Sequence, residues 1–155
     1  MKLRFVWIGK TRNAAIKKLI EEYIERARRF APVEVSELRD RSDVGSDARK
    51  IIDKEGEEIL ARTSSDAFVV ALDERGREMN SKRLAELIER HRLSGTKQIT
   101  FVIGSHGGLS EEVKKRANLV LALSQMTLTH EFARVLLIEQ VYRAFTIIHG
   151  LPYQK

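Results

Sequence analysis

Two short segments of this 155-residue chain combine residue types that could bind a ligand. The first reads FVIGSHGGLS, an apolar run followed by a glycine-rich loop at 104–108. Glycines let a ligand approach the backbone closely, and a helix that begins after such a loop offers free N–H groups. The spacing matches neither the dinucleotide fingerprint G-x-G-x-x-G nor the phosphate-binding P-loop. The residues therefore fit two alternatives about equally well, a loop that binds a ligand and a tight turn that binds none.

The second segment, at 123–128, reads LSQMTL and mixes hydroxyl and amide groups with apolar side chains. Its backbone could satisfy the edge of an adenine ring while Leu123, Met126 and Leu128 pack against the ring face. An apolar wall with a few polar contacts is typical of a cofactor pocket. The alternative is structural, because the same apolar residues could pack against the helix that follows as a hydrophobic staple.

A third segment, Gly9-Lys10-Thr11, follows an apolar run and has the residue order of the end of a P-loop. The first glycine that a P-loop requires is missing, because Arg4 occupies that position. We interpret the segment as a turn between a strand and a helix, with Lys10 and Arg12 available to face phosphate.

Composition and motifs disfavour several classes of function. The chain contains no cysteine, and its four histidines have no spacing typical of a metal site, so we predict no metal. No nucleophile elbow or Ser-His-Asp order is recognisable, which disfavours a hydrolase. No segment approaches the ~18 apolar residues of a membrane span. We expect a cytoplasmic protein that does not meet a membrane.

Charge is distributed unevenly along the chain, whose formal net charge is +6. Residues 1–30 hold nine Lys and Arg against three Glu, and residues 94–155 hold seven against four acidic residues. The middle of the chain, residues 31–93, holds twelve basic against fifteen acidic residues. Basic terminal regions favour a polyanionic partner such as nucleic acid, because Lys and Arg gain from displacing phosphate counterions.

Apolar periodicity predicts strands that alternate with helices. Strands are expected at 2–8, 33–38, 67–72, 98–103 and 119–123, and helices at about 16–30, 47–61, 81–93, 110–116 and 131–148. Asp47 and either Asn80 or Ser81 are expected helix caps, and 73–76 is an expected turn. This alternation is typical of a single α/β domain, 1–155, with a mostly parallel sheet flanked by helices.

Ligands of such sheets bind beyond the carboxyl ends of the strands, which groups the loops after Leu72, Ile103 and Leu123. His130 stands among hydroxyl residues before the last predicted helix, where it could cap the helix, accept a proton or simply pack. That helix is apolar on nearly all of its faces, so it must be buried on most sides. We predict a homodimer, in which part of the helix meets another subunit; a central helix of a monomer is the alternative.

Longer stretches of the chain resemble one known family. The runs IGSHGGLS and LALSQMTLTHEFARVLLIEQVYRAFTIIHG, with the ending PY, are similar to the SPOUT-class methyltransferases that modify N3 of a pseudouridine in large-subunit ribosomal RNA. The resemblance extends to KLRFVWIGK, DKEGEEIL and ALDERG, so it covers essentially the whole chain. Its most specific part is LSxxTLxH followed by RVLLIEQVYRA.

The resemblance implies an α/β SPOUT methyltransferase fold with a C-terminal trefoil knot. It also implies a homodimer that acts on large-subunit rRNA in the assembled ribosome, with S-adenosyl-L-methionine as the methyl donor. By position, the family's cofactor contacts correspond to Leu72, Gly104, Leu123, Ser124, Gln125, Met126, Thr127 and Leu128. These residues lie in the three loops that the strand-end argument groups.

For catalysis, the resemblance points to the last helix and the C-terminus. Arg143 matches a family position at the active site, where a cation could stabilise the anion formed when the imide loses its proton. A salt bridge with Glu139 is the structural alternative. Family members commonly end in Tyr-His and a basic residue, whereas this chain ends Tyr153-Gln154-Lys155. If that histidine is the proton acceptor elsewhere, His130, Tyr153 or water must serve in this chain.

The leading hypothesis is therefore an S-adenosyl-L-methionine-dependent methyltransferase acting on N3 of a pseudouridine in 23S rRNA. One alternative is a methyltransferase with another RNA target. The other is a ribosome-binding protein that keeps the cofactor pocket and has lost turnover together with the C-terminal histidine.

Overall fold

A computed structural model describes residues 1–41 and 47–153, in which five strands alternate with five helices. Part of the polar loop expected after the second strand lies outside the described residues, as do Gln154 and Lys155. The elements in chain order are β1 Lys2–Ile8, α1 Ala14–Arg28, β2 Val33–Leu38, α2 Ala48–Ala61, β3 Phe68–Glu78, α3 Ser81–Leu93, β4 Gln98–Ile103, α4 Glu111–Arg116, β5 Leu119–Ala122 and α5 His130–Ile148.

The strands form one sheet in the order β2-β1-β4-β3-β5, and every pair in it is parallel. Alternate residues of β1 point to opposite faces, so Phe5 and Trp7 join one apolar core while Val6 and Ile8 join the other. Helices α1, α3 and α5 cover the first face, and α2 and α4 cover the second. The prediction of a mostly parallel sheet flanked by helices is confirmed.

Helix starts follow the expected capping chemistry. Asp47 accepts a hydrogen bond from the N–H of Arg49, and Asn80 accepts one from the N–H of Arg83, so both are N-caps. Of the two residues proposed to cap α3, Asn80 is therefore the cap. At α5 the cap is Thr129, and His130 is the first helical residue, so capping is not the role of His130.

The third strand differs from its prediction. The expected strand ends at Leu72 and is followed by a turn at 73–76, whereas β3 continues to Glu78 and pairs with β5 again after a register shift between Leu72 and Arg77. A side chain at Gly76 would place its Cβ 2.7 Å from the carbonyl oxygen of Val120, so glycine is what allows the bulged segment to pass β5. The polar residues that suggested a turn belong to this bulge.

The last helix packs between α1 and α3 and buries much of its length, including Leu137, Ile138, Val141 and Phe145. One part of the surface of this helix is not covered by the rest of the chain, as the 61% exposure of the Phe132 side chain shows. In the described part of the chain, no helix combines the length and the hydropathy needed to cross a bilayer. The trefoil knot stays a prediction of the family resemblance.

Candidate active site

The three loops grouped by the strand-end argument surround one cavity of about 740 Å³ at the carboxyl edge of the sheet. His130 and His106 line it as well. Of the eight predicted cofactor contacts, seven line this cavity: Leu72, Gly104, Leu123, Ser124, Met126, Thr127 and Leu128. The eighth, Gln125, is directed elsewhere and donates a hydrogen bond to Glu78 at 3.2 Å.

The glycine loop closes on itself at the wall of this cavity. The N–H of Gly108 donates to the carbonyl oxygen of Ser105 at 2.9 Å. A Cβ at Gly104 would lie 2.2 Å from the carbonyl oxygen of Gly108, which no side chain tolerates. Glycine at 104 is therefore required by the loop's own geometry, whatever the cavity holds.

A buried carboxylate anchors the glycine loop from the opposite side. Glu55 of α2 is only 2% exposed and accepts a hydrogen bond from the hydroxyl of Ser105 at 2.8 Å. Its other oxygen accepts from the N–H of Arg41, in the loop after β2, at 3.2 Å. Both oxygens thus have partners, as a buried carboxylate requires. The DKEGEEIL segment was noted only for its family resemblance, and this role of Glu55 was missed.

The second wall of the cavity is held by the extension of β3. Thr127 donates from its hydroxyl to Glu74 at 2.8 Å, and Ser124 accepts from the N–H of Met126 at 2.9 Å. Together with the bond between Gln125 and Glu78, these contacts fix the 123–128 loop against residues 74–78. The prediction of a turn at 73–76 did not bring Glu78 beside this loop, so the contacts of Glu74 and Glu78 with it were missed.

One side of the cavity carries charges of both signs, from Asp73, Glu74, Arg75 and Lys114. Asp73 and Glu74 line it, and the ammonium of Lys114 lies 3.0 Å from the carboxylate of Asp73. Burial alone would raise the pKa of Asp73, but hydrogen bonds from the N–H of Arg75 and from Lys114 outweigh it and lower the pKa. The carboxylate is therefore ionised at neutral pH and able to face a cationic group.

The imidazole of His130 lines the cavity in its neutral form. Burial lowers its pKa, and the nearby guanidinium of Arg134 lowers it further. A histidine with a pKa below its ordinary value is unprotonated at pH 7 and can accept a proton. Of the three roles left open by the sequence, the structure thus supports proton acceptance or packing.

Arg143 and Tyr153 lie outside the cavity, in a cluster around Glu139 on α5. The guanidinium of Arg143 donates to Glu139 at 2.9 Å through its Nε and lies 4.6 Å from the centroid of the Tyr153 ring. Tyr153 donates its hydroxyl proton to Glu139 at 3.1 Å and lies 3.2 Å from the hydroxyl of Tyr23 on α1. The salt bridge that was the structural alternative for Arg143 is therefore present.

The charges of this cluster do not favour Tyr153 as a base. Burial raises the pKa of the Tyr153 hydroxyl, and its hydrogen bonding with Tyr23 and the negative charge of Glu139 raise it further. The bond to Glu139 raises the pKa of Arg143, which keeps its charge. The cluster therefore offers a permanent cation and a phenol that holds its proton.

A shallow apolar groove of about 330 Å³ connects the two sites along the surface of α5. Leu128 lines both the cavity and the groove, and Glu139 lies at the other end. The remaining residues of the groove are Leu19, Tyr23, Phe132, Val135 and Leu136. His130 and Arg143 are thirteen residues apart on one helix, which corresponds to about 20 Å along its axis.

Comparison with known proteins identifies the family. The sequence profile described as "Predicted SPOUT methyltransferase" matches residues 1–154. This chain belongs to the SPOUT methyltransferase family.

SPOUT relatives of the same length are numerous. The chain is 46% identical over 153 residues to the protein of Trichlorobacter lovleyi named ribosomal RNA large subunit methyltransferase H, with 99% of each chain covered. A protein of the same name from Streptococcus gordonii is 41% identical over 159 residues, with 100% of each covered. The crystal structure of tRNA (m1G37) methyltransferase from Aquifex aeolicus superposes with a TM-score of 0.53 at 20% identity, covering 99% of this chain and 72% of that one. That SPOUT structure supports the fold alone.

Within the described part of this SPOUT chain, no group of three or more His, Asp or Glu side chains is placed to hold a metal ion.

Proposed function

We propose that this protein transfers a methyl group from S-adenosyl-L-methionine to N3 of a pseudouridine in the 23S rRNA of the large ribosomal subunit. The observation that carries the proposal is the cavity, which brings together the glycine loop and the 123–128 loop in a full-length member of a methyltransferase family. The names of the relatives in Trichlorobacter lovleyi and Streptococcus gordonii support large-subunit rRNA as the substrate.

The cavity suits this cofactor in size and in chemistry. Its volume of about 740 Å³ lies within the range of pockets that hold molecules of this size. Leu123, Met126 and Leu128 offer an apolar wall for an adenine ring, and the backbone around them offers hydrogen bonds to its edge. Asp73 and Glu74, next to Arg75 and Lys114, offer charged groups of both signs to a ligand that itself carries both. When bound there, the cofactor supplies a methyl group that its sulfonium has already activated.

The protein then has to align N3 with that methyl group and help the imide lose its proton. The positive charge of Arg143 stabilises the imide anion that forms as the N3–H bond breaks. His130, neutral and at the cavity, takes the proton directly or through a water molecule. Tyr153, whose pKa is raised, orients Arg143 and donates a hydrogen bond instead.

Arg143 is about 15 Å along α5 from Ala133, the last residue of the helix that lines the cavity, so one chain does not bring the two together. A homodimer resolves this separation. In a two-fold interface the same groove faces itself, and two antiparallel α5 helices would place each cavity next to the partner subunit's Arg143. The exposed Phe132 and the apolar groove support this interface, because burying them would remove unfavourable contact with water.

We further propose that the enzyme works in the cytoplasm on the assembled large subunit, without a metal. The direct test is mass mapping of rRNA from cells with and without the gene, together with calorimetry of S-adenosyl-L-methionine binding. The proposal expects micromolar or tighter binding and one methyl group missing from a 23S pseudouridine in the deletion strain. A methyl group missing from another RNA would overturn the substrate, and binding without any missing methyl group would leave a ribosome-binding protein.

A further inference from the structure

The loop between β1 and α1, residues 9–13, has no role in the proposed chemistry, although it lies at the same edge of the sheet as the cavity. It reads GKTRN and follows β1, which pairs with β4 inside the sheet. The loop after β4 is the glycine wall of the cavity. Because the sheet is parallel, the two loops leave neighbouring strands at the same edge.

Helix α5 holds this loop in place through two residues of its first turns. The carboxylate of Glu131 accepts hydrogen bonds from the N–H groups of Arg12 at 2.7 Å and Asn13 at 3.3 Å. Both belong to the 9–13 loop. The same helix begins directly after the 123–128 loop, so one element positions the cavity wall and the 9–13 loop together.

A buried arginine completes the attachment. Arg134 is 0% exposed and donates to the carbonyl oxygen of Ile8 at 2.5 Å and to the hydroxyl of Thr11 at 2.9 Å. Its guanidinium also lies 5.1 Å from the centroid of the Trp7 ring. The hydroxyl of Thr11 and the carbonyl of Ile8 thus face inward and already have a hydrogen-bond partner in Arg134. The side chains of Lys10 and Arg12 face solvent.

Those two side chains are cations without partners. Lys10 and Arg12 are exposed, and the side chain of neither makes a hydrogen bond or an ion pair in the described part of the chain. Arg39, just after β2 on the adjacent strand, is exposed and unpaired in the same sense. Some exposed arginines on the helices pair with glutamates one turn away, as Arg92 does with Glu89, whereas Arg83 and Arg90 make no such pair in the described part of the chain.

We propose that Lys10, Arg12 and Arg39 form a binding edge for the phosphate backbone of the RNA strand that carries the target nucleotide. Unpaired cations on a fixed loop bind phosphates without first breaking an ion pair, and they gain from the release of counterions. RNA fits better than a protein partner, because the loop offers no exposed aromatic or aliphatic side chain of the kind that protein interfaces bury. This inference rests on the proposed RNA substrate.

The test compares two double variants of equal charge. Lys10→Gln with Arg12→Gln removes two cations at the cavity edge, and Arg29→Gln with Lys97→Gln removes two exposed cations at the opposite edge of the sheet. Binding to large ribosomal subunits lacking the modification, and to protein-free 23S rRNA, is measured over a range of salt concentrations. Calorimetry with S-adenosyl-L-methionine and a thermal melt show whether each variant is folded.

The expected result is about tenfold weaker RNA binding for Lys10→Gln with Arg12→Gln, with a salt slope smaller by about 1.4–1.8, as two lost phosphate contacts require. Cofactor affinity should stay unchanged, and the Arg29→Gln with Lys97→Gln control should bind RNA within about twofold of wild type. Equal losses for both variants, or none, would overturn the binding edge. A loss on whole subunits but not on protein-free rRNA would assign the loop to a protein partner instead.

These outcomes are separable from failure of the proposed function. If the wild-type protein methylates 23S rRNA and the loop variant binds and methylates as well as the control, only the binding edge is wrong. If no rRNA methylation occurs but the loop variant still loses RNA affinity and salt slope, the binding edge stands and the proposed reaction is wrong.

Discussion

The cavity lies at the start of α5, the cluster around Glu139 lies further along the same helix, and the two are built in different ways. The cavity consists of loops tied together by hydrogen bonds between distant parts of the chain, such as Ser105 to Glu55 and Thr127 to Glu74. The cluster consists of side chains that meet on one helix, joined by Tyr23 and Tyr153. The cavity thus depends on the shape of its loops, whereas the Glu139 cluster depends on the charges of its side chains, and the two are separated along α5.

This difference has a consequence for function. In our proposal the loops of one chain hold the cofactor, so cofactor binding should need only a single folded chain. The permanent cation of the cluster, Arg143, is about 15 Å along the helix from the cavity residue Ala133, so catalysis in our proposal requires a second chain. Variants at the cavity and variants at the Glu139 cluster should therefore fail in different assays.

The largest effect is expected for Arg143→Ala. Removing a charge that stabilises an anion in the transition state should slow methyl transfer by about a hundredfold to a thousandfold. Affinity for S-adenosyl-L-methionine should stay within about twofold, because the cavity does not contain this side chain. The matched control is Arg92→Ala, which breaks a similar arginine–glutamate pair on α3 and should leave both quantities unchanged. A normal rate for Arg143→Ala would contradict its catalytic role.

Phe132→Glu tests whether the groove is a subunit interface. A two-fold interface contains a Phe132 from each subunit, so the substitution would bury two charges. Dimerisation should therefore weaken by at least about a hundredfold. Sedimentation velocity at micromolar concentration should show a dimer for the wild type and a monomer for this variant. Leu93→Glu places the same charge at another exposed apolar residue, 73% exposed on α3, and should remain dimeric. A wild-type monomer would refute the interface.

His130→Asn tests the proton acceptor. The rate at pH 7 should fall by on the order of a hundredfold if the imidazole takes the N3 proton. Because the folded protein lowers the pKa of His130, the wild-type rate should decline only below the ordinary histidine range, as the imidazole becomes protonated. That acid limb should disappear in His130→Asn and persist in His106→Asn, which changes the other histidine of the cavity. An unchanged limb would assign the proton to water.

Gly104→Ala should have the smallest effect of the four, and a different kind of effect. The new methyl group would collide with the carbonyl of Gly108, so the glycine loop must shift. We expect cofactor affinity to fall by about tenfold, as a loss of about 1.4 kcal/mol implies, with little change in dimerisation. In Gly107→Ala the nearest atom is the flexible end of Ile52 at 3.1 Å, so calorimetry should show a much smaller loss. Equal losses of cofactor affinity in the two variants would mean that the close contact between Gly104 and Gly108 does not control the cavity.

Sequence reasoning was most successful where chemistry is local. Strand periodicity and capping residues predicted the bounds of β1, β2 and β4 and the cap at Asp47, and they included Asn80 as one of two candidate caps of α3. The rule that ligands bind at the carboxyl ends of parallel strands also grouped the loops that line the cavity, independently of any family resemblance.

It failed where a distant partner decides the structure. The residues at 73–76 have turn composition, and only their pairing with β5 shows that the strand continues. Glu55 and Arg134 are charged residues whose burial depends on partners 50 and 126 positions away in the chain, Ser105 and Ile8. Arg134 had one signal that could have been used, since it is the only Lys or Arg in the first half of α5.

The most direct test of the account is a mixed dimer. One chain carries Gly104→Ala with His130→Asn, so that its cavity is impaired, and the other carries Arg143→Ala. Each variant alone sets a baseline rate of methyl transfer to large subunits that lack the modification. If the cavity of one chain works with the partner subunit's Arg143, an equal mixture should recover about a quarter of the wild-type rate, because half of the dimers are mixed and each has one intact site. A rate no higher than the average of the two baselines would show that each chain completes its own site.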